Sequence, residues 1–386
     1  MASIKQLDER KFKITISNGY RPDGRKISKA KTITVPDSVG RRGIRQYVSH
    51  AAEEMERTIK QGFCEDADMT FEEYANRWLD RQVKYAAGTI ASYQRMLKVT
   101  YPFIGAIKLN KLRPIALENM LVELRKRSNH GEPVQEATVQ KYLTVVSAVL
   151  SDAKRNEIIQ KNPARMIDLP DTEKREQFIP SEEDANQFLN ALLDEPQEYK
   201  IFYVLALYTG CRRGELCALK WHDFIMTDKY RCVLTVSRSR SHIPGQGVQE
   251  GPTKNGRSRT IVIDEEITSL VQSYCCYKTA QAGKVGREVS PYLFADKYGK
   301  FIHPDTFTKH LRKIFKENDF PENFHLHTLR HYFVSTLLHH GVDKQTVAEL
   351  AGHADTSFLE RTYCHPQMEL KNQAASVMID ALLHSA

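Results

Sequence analysis

His325-Leu326-His327-Thr328-Leu329-Arg330-His331 sets three histidines and an arginine at the head of an apolar run that reads as a helix over 328–340. His327 and Arg330 fall about one turn apart, so both project from the same helical face. Histidines at this density invite a metal ion, but Arg330 in their midst opposes a cation, and no metal site is expected here. Upstream, Thr209-Gly210-Cys211-Arg212-Arg213-Gly214-Glu215-Leu216 closes one apolar helix and opens the next. Between the two, Thr253-Lys254-Asn255-Gly256-Arg257-Ser258 forms a polar, glycine-containing turn ahead of a strand that starts at Arg259. Downstream, Leu350-Ala351-Gly352-His353 ends a helix at a glycine, and Tyr363 follows ten positions later. Taken singly, these residues have ordinary readings: an arginine at the surface, a tyrosine half-buried, a histidine capping a helix.

The chain of 386 residues, 41% apolar and 27% charged, is long enough for two or three domains and too apolar for wholesale disorder. No apolar run approaches the roughly eighteen residues that a membrane span needs. The charged start MASIKQLDERKFKI lacks the apolar stretch of a signal peptide. Seven cysteines, scattered and odd in number, fit no disulfide framework. Cys211, Cys217 and Cys232 read as core residues and Cys275-Cys276 as part of a helix face, so a reducing cytoplasm is the expected compartment. Neither a G-x-x-x-x-G-K-S/T loop nor a G-x-G-x-x-G turn is present, which leaves nucleotide-driven and dinucleotide chemistry without a site. No pair of Cys-x-x-Cys elements points to structural zinc.

The net charge of +8 sits at one end: residues 1–45 hold twelve Lys/Arg against four Asp/Glu, and the remaining chain holds 44 of each. A basic module on a neutral body points to a polyanion partner, most simply nucleic acid. Residues 11–35 alternate apolar and polar around Arg21-Pro22-Asp23-Gly24-Arg25, which predicts a β-hairpin or small sheet. From about 42 to 60 the pattern turns helical, with Ile44, Val48, Ala51, Met55 and Ile59 on one face. Lys11, Lys13, Arg21, Arg25, Lys26, Arg41 and Arg42 are the candidate DNA-binding residues of this segment.

An acidic stretch at 64–68 reads as a linker. Residues 70–165 read as four or five helices, opened by a capping box at Thr70-Phe71-Glu72-Glu73 and stopped at Asn162-Pro163. A second linker is expected over 166–180. The last 200 residues mix helices, among them 213–219 and 355–363, with strands predicted at 231–237 and 259–263, and close on an apolar helix over 370–384.

Together and in this order, G-x-R-x-x-E, the turn lysine, H-x-L-R-H, G-H and the downstream tyrosine resemble the tyrosine recombinase (phage integrase) family, most like the integrases of conjugative transposons and phages. The resemblance spans about 178–370. It implies a multidomain fold, mainly α with small β-sheets. Its parts are a basic β-sheet-plus-helix arm-type DNA-binding domain at 1–64, a helical, SAM-like core-DNA-binding domain at 68–166, and a mixed α/β catalytic domain at 178–386 with a tail helix at 370–384. It also implies a site-specific recombinase that integrates and excises a mobile element through a 3′-phosphotyrosine intermediate, with no cofactor and no metal. The implied partners are double-stranded DNA at core and arm sites, further copies of the chain in a tetramer on DNA, a directionality factor and a host DNA-bending protein, with no membrane.

The chemistry accounts for the residue types. Strand exchange without net hydrolysis must keep the phosphodiester energy in a covalent bond, which a tyrosine nucleophile provides. The phosphorane-like transition state gathers charge on its non-bridging oxygens, and forked guanidinium groups suit it. By match, Tyr363 is the nucleophile, Arg212 and Arg330 hold the phosphate, and Lys254 protonates the leaving 5′ oxygen. His327 serves as acid or base, His353 as a further donor, and Glu215 and His331 brace the cluster. The motif register selects Arg212 over Arg213, while Arg257 and Arg259 compete with Lys254. Ala351 stands where leucine is commoner in the family.

Two other readings use the same residues. A type IB topoisomerase shares the nucleophile and the arginines, but the basic N-terminal module and the residues beyond Tyr363 favour a recombinase. A DNA-binding regulator would keep the fold without cutting, and the complete catalytic set argues against it. Because the excess charge lies at the N-terminus, deleting residues 1–64 should weaken recombination on arm-bearing DNA and leave cleavage at core sites. Every phosphate that the truncated protein no longer neutralises should flatten the slope of log affinity against log salt by about 0.9. Filter binding across a salt series checks this, and an unchanged slope with unchanged recombination refutes it.

Overall fold

Cross-strand pairing places Lys13 beside both Lys5 and Thr32, and Ile14 beside Ile4 and Lys31, in an antiparallel sheet of order β1-β2-β3. The strands are β1 (Ala2–Asp8), β2 (Lys11–Tyr20) and β3 (Lys26–Thr34). The sequence predicted a β-hairpin or small sheet over 11–35, where β2 and β3 lie. The third strand, β1, escaped notice because ASIKQLD carries only Ile4 and Leu7 as large apolar residues. One face of the sheet buries Ile14 and Ile16 against Ala52 of α1 (Ile44–Lys60). The other face presents Lys5, Lys13, Thr15 and Thr32, with no large apolar side chain in those two rows.

This computed structural model describes residues 2–20, 26–60, 69–129, 131–172, 178–228, 231–353, 355–357 and 359–360. They fall into two units, Met1–Lys174 and Arg175–Ala386. The linker expected at 64–68, part of the one at 166–180, the end of the 355–363 helix and all of the helix expected over 370–384 lie outside the described residues.

The first unit continues with α2 (Phe71–Asp80), α3 (Ala87–Ile104), α4 (Pro114–Arg125), the two-residue strands β4 (Ser128–Asn129) and β5 (Glu132–Pro133), and α5 (Glu136–Arg155). The capping box is present: Thr70 accepts from Glu73 N–H while Glu73 accepts from Thr70 N–H at 2.8 Å. Helical spacing buries Phe71, Tyr74, Trp78 and Leu79 on one face of α2. They pack with Leu97, Leu121, Val146 and Leu150 in a single helical core. The buried Tyr74 ring keeps its hydroxyl satisfied by donating to Asp152 at 2.8 Å.

The second unit is built around α7 (Gln197–Thr209), preceded by α6 (Glu182–Ala191). Phe202 of α7 stacks on Phe307 of α10 (Pro304–Glu317) with ring centroids 3.8 Å apart, and Phe294 meets both edge-on. After α8 (Arg213–Leu216), a sheet of order β10-β7-β6 is formed by β6 (Phe224–Met226), β7 (Cys232–Val236) and β10 (Arg259–Ile263). The helix predicted over 213–219 is shorter, because Cys217 caps it after one turn. A separate hairpin of β8 (Arg238–Ile243) and β9 (Gly247–Pro252) was not predicted. Its sequence is too charged and too rich in glycine to show alternation. Among the described residues the unit continues with α9 (Glu265–Lys284), α10, α11 (Leu326–His339) and α12 (Lys344–Ala351).

One close approach sets the start of the site. Gly210 caps α7 at φ +58°, and a Cβ there would lie 2.3 Å from the Phe333 ring of α11. Gly210→Ala combines left-handed backbone strain of about 1–2 kcal/mol with overpacking of about 1–3 kcal/mol. A loss of at least about 2 kcal/mol in urea unfolding is expected, and a loss under about 0.5 kcal/mol would show that α7 and α11 can part freely.

Candidate active site

Three segments far apart in sequence meet at one cleft of about 270 Å³, lined by Arg212, Thr253, Asn255, Arg259, Gly352 and His353 among others. Arg212 is the residue just before α8, in extended conformation, so its side chain leaves the helix start rather than its flank. Gly214 lets this turn sit tightly on β8, since a Cβ would lie 2.5 Å from Arg240 O. Arg212 Nη1 donates to Glu215 Oε1 at 3.0 Å, and Nη2 donates to the Gly352 carbonyl at 2.9 Å. Glu215 is 1% exposed. Burial alone would raise its pKa, but the Arg259 hydrogen bond and charge, with Arg212 behind them, hold it below the usual carboxylate value.

Arg330 lies on the buried face of α11 and is 3% exposed. Its Nη1 donates to Gly210 O at 2.7 Å and its Nη2 to His353 Nε2 at 2.8 Å. An arginine has no lone pair to offer, so His353 Nε2 accepts and its proton resides on Nδ1. Burial first, then the charges of Arg330 and Arg212, press the His353 pKa down to about 3. The same causes lower the Arg330 guanidinium to about 10: burial first, then Arg212. His327 opens onto solvent in the first turn of α11, its ring 4.8 Å from that of His331. Loss of hydration, then Arg330, and more weakly His325, Arg212 and Lys254, hold it below the ordinary histidine value. Lys254 is exposed in the turn between β9 and β10.

The structure thus brings Arg212, Glu215, Arg330 and His353 into one bonded cluster, with His327 and His331 on the adjoining helix turn and Lys254 near His327. Tyr363 lies outside the described residues, as do Arg21 and Arg25. Lys11 and Lys13 lie on β2 and Lys26 on β3, while Arg41 and Arg42 form an exposed 3₁₀ turn before α1. Arg259 and Asn255 belong to the cleft and were not singled out as site residues. Asn255 Nδ2 donates to Gly352 O at 3.1 Å. Arg259 had a sequence signal: it shares the inward register of its strand with Ile261 and Ile263, where a charge needs a buried partner.

Among the described residues, one grouping of possible metal ligands stands out, His242, His303 and Asp305, with ligand atoms within 4.8 Å of one another. Two of its members already hold other partners. His303 Nδ1 accepts from Asp305 N–H at 3.1 Å, and Asp305 holds Arg213 at 2.8 Å. In the histidine-rich turn, His325 Nδ1 accepts from Thr328 N–H at 3.2 Å. The cluster around Arg212 and Arg330 is cationic and donor-rich, and suits a phosphate rather than a metal.

Known proteins resemble this chain in the same segments. Residues 180–369 match the phage integrase family, and residues 52–169 match the phage integrase SAM-like domain. The ICEBs1 integrase of Bacillus subtilis (strain 168) is 27% identical over 248 residues, which make up 64% of this chain and 66% of that relative. A tyrosine recombinase of Thermosipho africanus (strain TCF52B) is 22% identical over 276 residues, 71% of this chain and 87% of the relative. The fold is shared with the Tn1549 transposon integrase in complex with a circular intermediate DNA, at TM-score 0.67 and 16% identity over 80% of this chain and 99% of that one. It is shared too with a lambda integrase tetramer bound to a Holliday junction, at TM-score 0.53 and 14% identity over 92% and 96% of the two chains.

The depressed histidines make stability depend on pH. His331 is 3% exposed, and burial first, then His327, His325 and Arg330, lower its pKa from 6.5 to about 4. As pH falls below 6.5 the unfolded histidine takes a proton that the folded one refuses, so stability is full above that value and lost below it. By about pH 5 this single ring costs about 2 kcal/mol. Unfolding in urea at about pH 7 and about pH 5 should show the loss, and His331→Asn should shrink it by that amount. An equal loss in the variant would mean that the ring titrates normally.

Proposed function

This chain belongs to the phage integrase family of tyrosine recombinases, and we propose how its parts divide the work of site-specific recombination. The enzyme breaks and rejoins DNA strands by transesterification. In the proposed cycle Tyr363 attacks the scissile phosphate and forms a 3′-phosphotyrosine. Arg212 and Arg330 take the non-bridging oxygens, Lys254 protonates the leaving 5′ oxygen, and His327 exchanges the tyrosine proton. His353 adds its Nδ1–H as a donor, and Glu215 and His331 hold the cluster. The observation that carries this reading is the gathering of Arg212, Arg330 and His353 into one bonded cluster, through the bonds Arg212–Gly352 and Arg330–His353.

The proposed division is 1–64 for arm-site DNA, 68–166 for core-site DNA and 178–386 for catalysis. The basic sheet face with Lys5 and Lys13, and the charge excess of residues 1–45, support the first assignment. The SAM-like match over 52–169 supports the second. The solved relatives bound to core-site DNA and, as a tetramer, to a Holliday junction support a tetramer on two duplexes as the working assembly here. An apolar groove of about 650 Å³, lined in part by Leu189, Leu207, Val262, Tyr332 and Phe333, is the proposed seat for the apolar 370–384 segment of a neighbouring copy. A directionality factor and a host DNA-bending protein complete the proposed partners, and the cytoplasm is the proposed compartment.

Incubation with a nicked attachment-site duplex in EDTA tests the chemistry, because cationic side chains here supply the charge that a metal would otherwise bring. An SDS-resistant adduct is expected, abolished in Tyr363→Phe with DNA affinity kept within about threefold. Lys254→Ala should slow cleavage by about 10²-fold or more, and a 5′-phosphorothiolate leaving group, which needs no proton, should recover most of that loss. An adduct that survives Tyr363→Phe would overturn the assignment.

A further inference from the structure

Arg259 is a buried cation of the cleft to which the cleavage chemistry gives no part. It is 7% exposed and opens β10 on the strand's inward face. Its Nη2 donates to Glu215 Oε2 at 2.7 Å, and the same nitrogen lies 3.3 Å from the Cys211 sulfur. Its Nε donates to Leu350 O at 2.7 Å, in the last turn of α12. Gly352 then follows at φ +67°, where a Cβ would lie 2.7 Å from Arg259 Nη1. One guanidinium therefore ties together the helix start that carries Arg212, the strand that follows the Lys254 turn, and the helix end that carries His353.

We propose that Arg259 is a positioning residue, which fixes the Glu215 carboxylate and through it the Arg212 fork in the geometry that receives the scissile phosphate. The inference rests on the assignment of Arg212 as a phosphate ligand. Glu215 distributes three N–H bonds over its two oxygens: Arg212 Nη1 on Oε1, Arg212 N and Arg259 Nη2 on Oε2. A lysine at 259 has one nitrogen and cannot satisfy Glu215 and Leu350 O with the spread of a guanidinium. Without Arg259, Glu215 stays buried with Arg212 as its main counter-charge. The groups facing it are Arg212 from α8, Arg259 from β10, Arg330 from α11 and the Cys211 thiol. Removing one of these cations shifts the balance toward burial, which favours the protonated acid, and a neutral Glu215 grips Arg212 less firmly.

Single-turnover cleavage of a nicked attachment-site duplex, measured from about pH 5 to 9 with the full chain, tests the proposal. The variants are Arg259→Lys, Arg259→Gln, Glu215→Gln and the Arg259→Gln/Glu215→Gln pair. Arg259→Gln should cleave on the order of 10²-fold more slowly at about pH 7.5, with DNA affinity within about threefold of wild type. It should also gain an acidic limb in its pH profile that the wild type lacks, and that limb should vanish in the double variant. The double variant should be no slower than the slower single one, because the two residues act as one unit. Arg259→Lys should recover part of the rate. Cleavage by Arg259→Gln within about threefold of wild type overturns the proposal, as do losses that multiply in the double variant with the pH profile unchanged. Should Arg259→Gln not fold, Arg259→Lys decides: a new acidic limb supports the proposal, and a wild-type rate and profile overturn it. Wild-type protein that forms no adduct at any pH overturns the recombinase reading instead.

Discussion

The buried Glu215 carboxylate, held between Arg212 and Arg259, is the interaction on which the cleft of the second unit depends. A site that must stabilise a doubly charged transition state has to gather cations before the anion arrives. In a poorly hydrated cleft those cations repel one another, and burial together with the Arg212 charge lowers the Arg330 pKa to about 10. One carboxylate balances only part of the charge. The rest falls to backbone dipoles: Arg330 donates to the carbonyl of Gly210 at the end of α7, while Arg259 and Arg212 donate to Leu350 and Gly352 at the end of α12. Helix C-termini carry partial negative charge and unpaired carbonyls, so two helix ends act as distributed counter-ions to the arginines.

This arrangement accounts for the glycines of the site. Both helix ends must stop sharply and turn their carbonyls toward the arginines, and both do so through a left-handed residue, Gly210 at φ +58° and Gly352 at φ +67°. Each is also overlaid by a neighbour, Phe333 in one case and Arg259 in the other, so no side chain fits even where the backbone strain could be borne.

The helical parts were legible because a 3.6-residue pattern persists through α2 to α5, and the capping box at Thr70 marks its start. The cluster of Arg212, Glu215, Arg330 and His353 was legible because its residue types recur in a fixed order, whatever loops separate them. The β8–β9 hairpin was not, since its buried arginine breaks every hydropathy rule. Arg240 is stabilised by partners distant in sequence, the rings of Tyr292 and Phe301 at 4.1 and 4.4 Å, and nearer by the Glu250 carboxylate at 2.6 Å. Arg259 was weighed only as a rival to Lys254. Within its own stretch of sequence it competes with Lys254 for one role; its inward register beside Ile261 and Ile263 marks it as buried, and the folded contacts give its partners, Glu215 and Leu350.

His353 accepts a hydrogen bond from Arg330 through a nitrogen that is unprotonated at neutral pH. In the proposed cycle a phosphate entering beside it adds negative charge, and raises the proton affinity of His353 and His327 together. Occupancy and protonation are thus thermodynamically linked, and association draws protons from the surrounding solution. The heat released on binding DNA accordingly contains a contribution from the buffer that surrenders those protons. It differs between buffers of unlike ionisation enthalpy, although the contacts formed are the same.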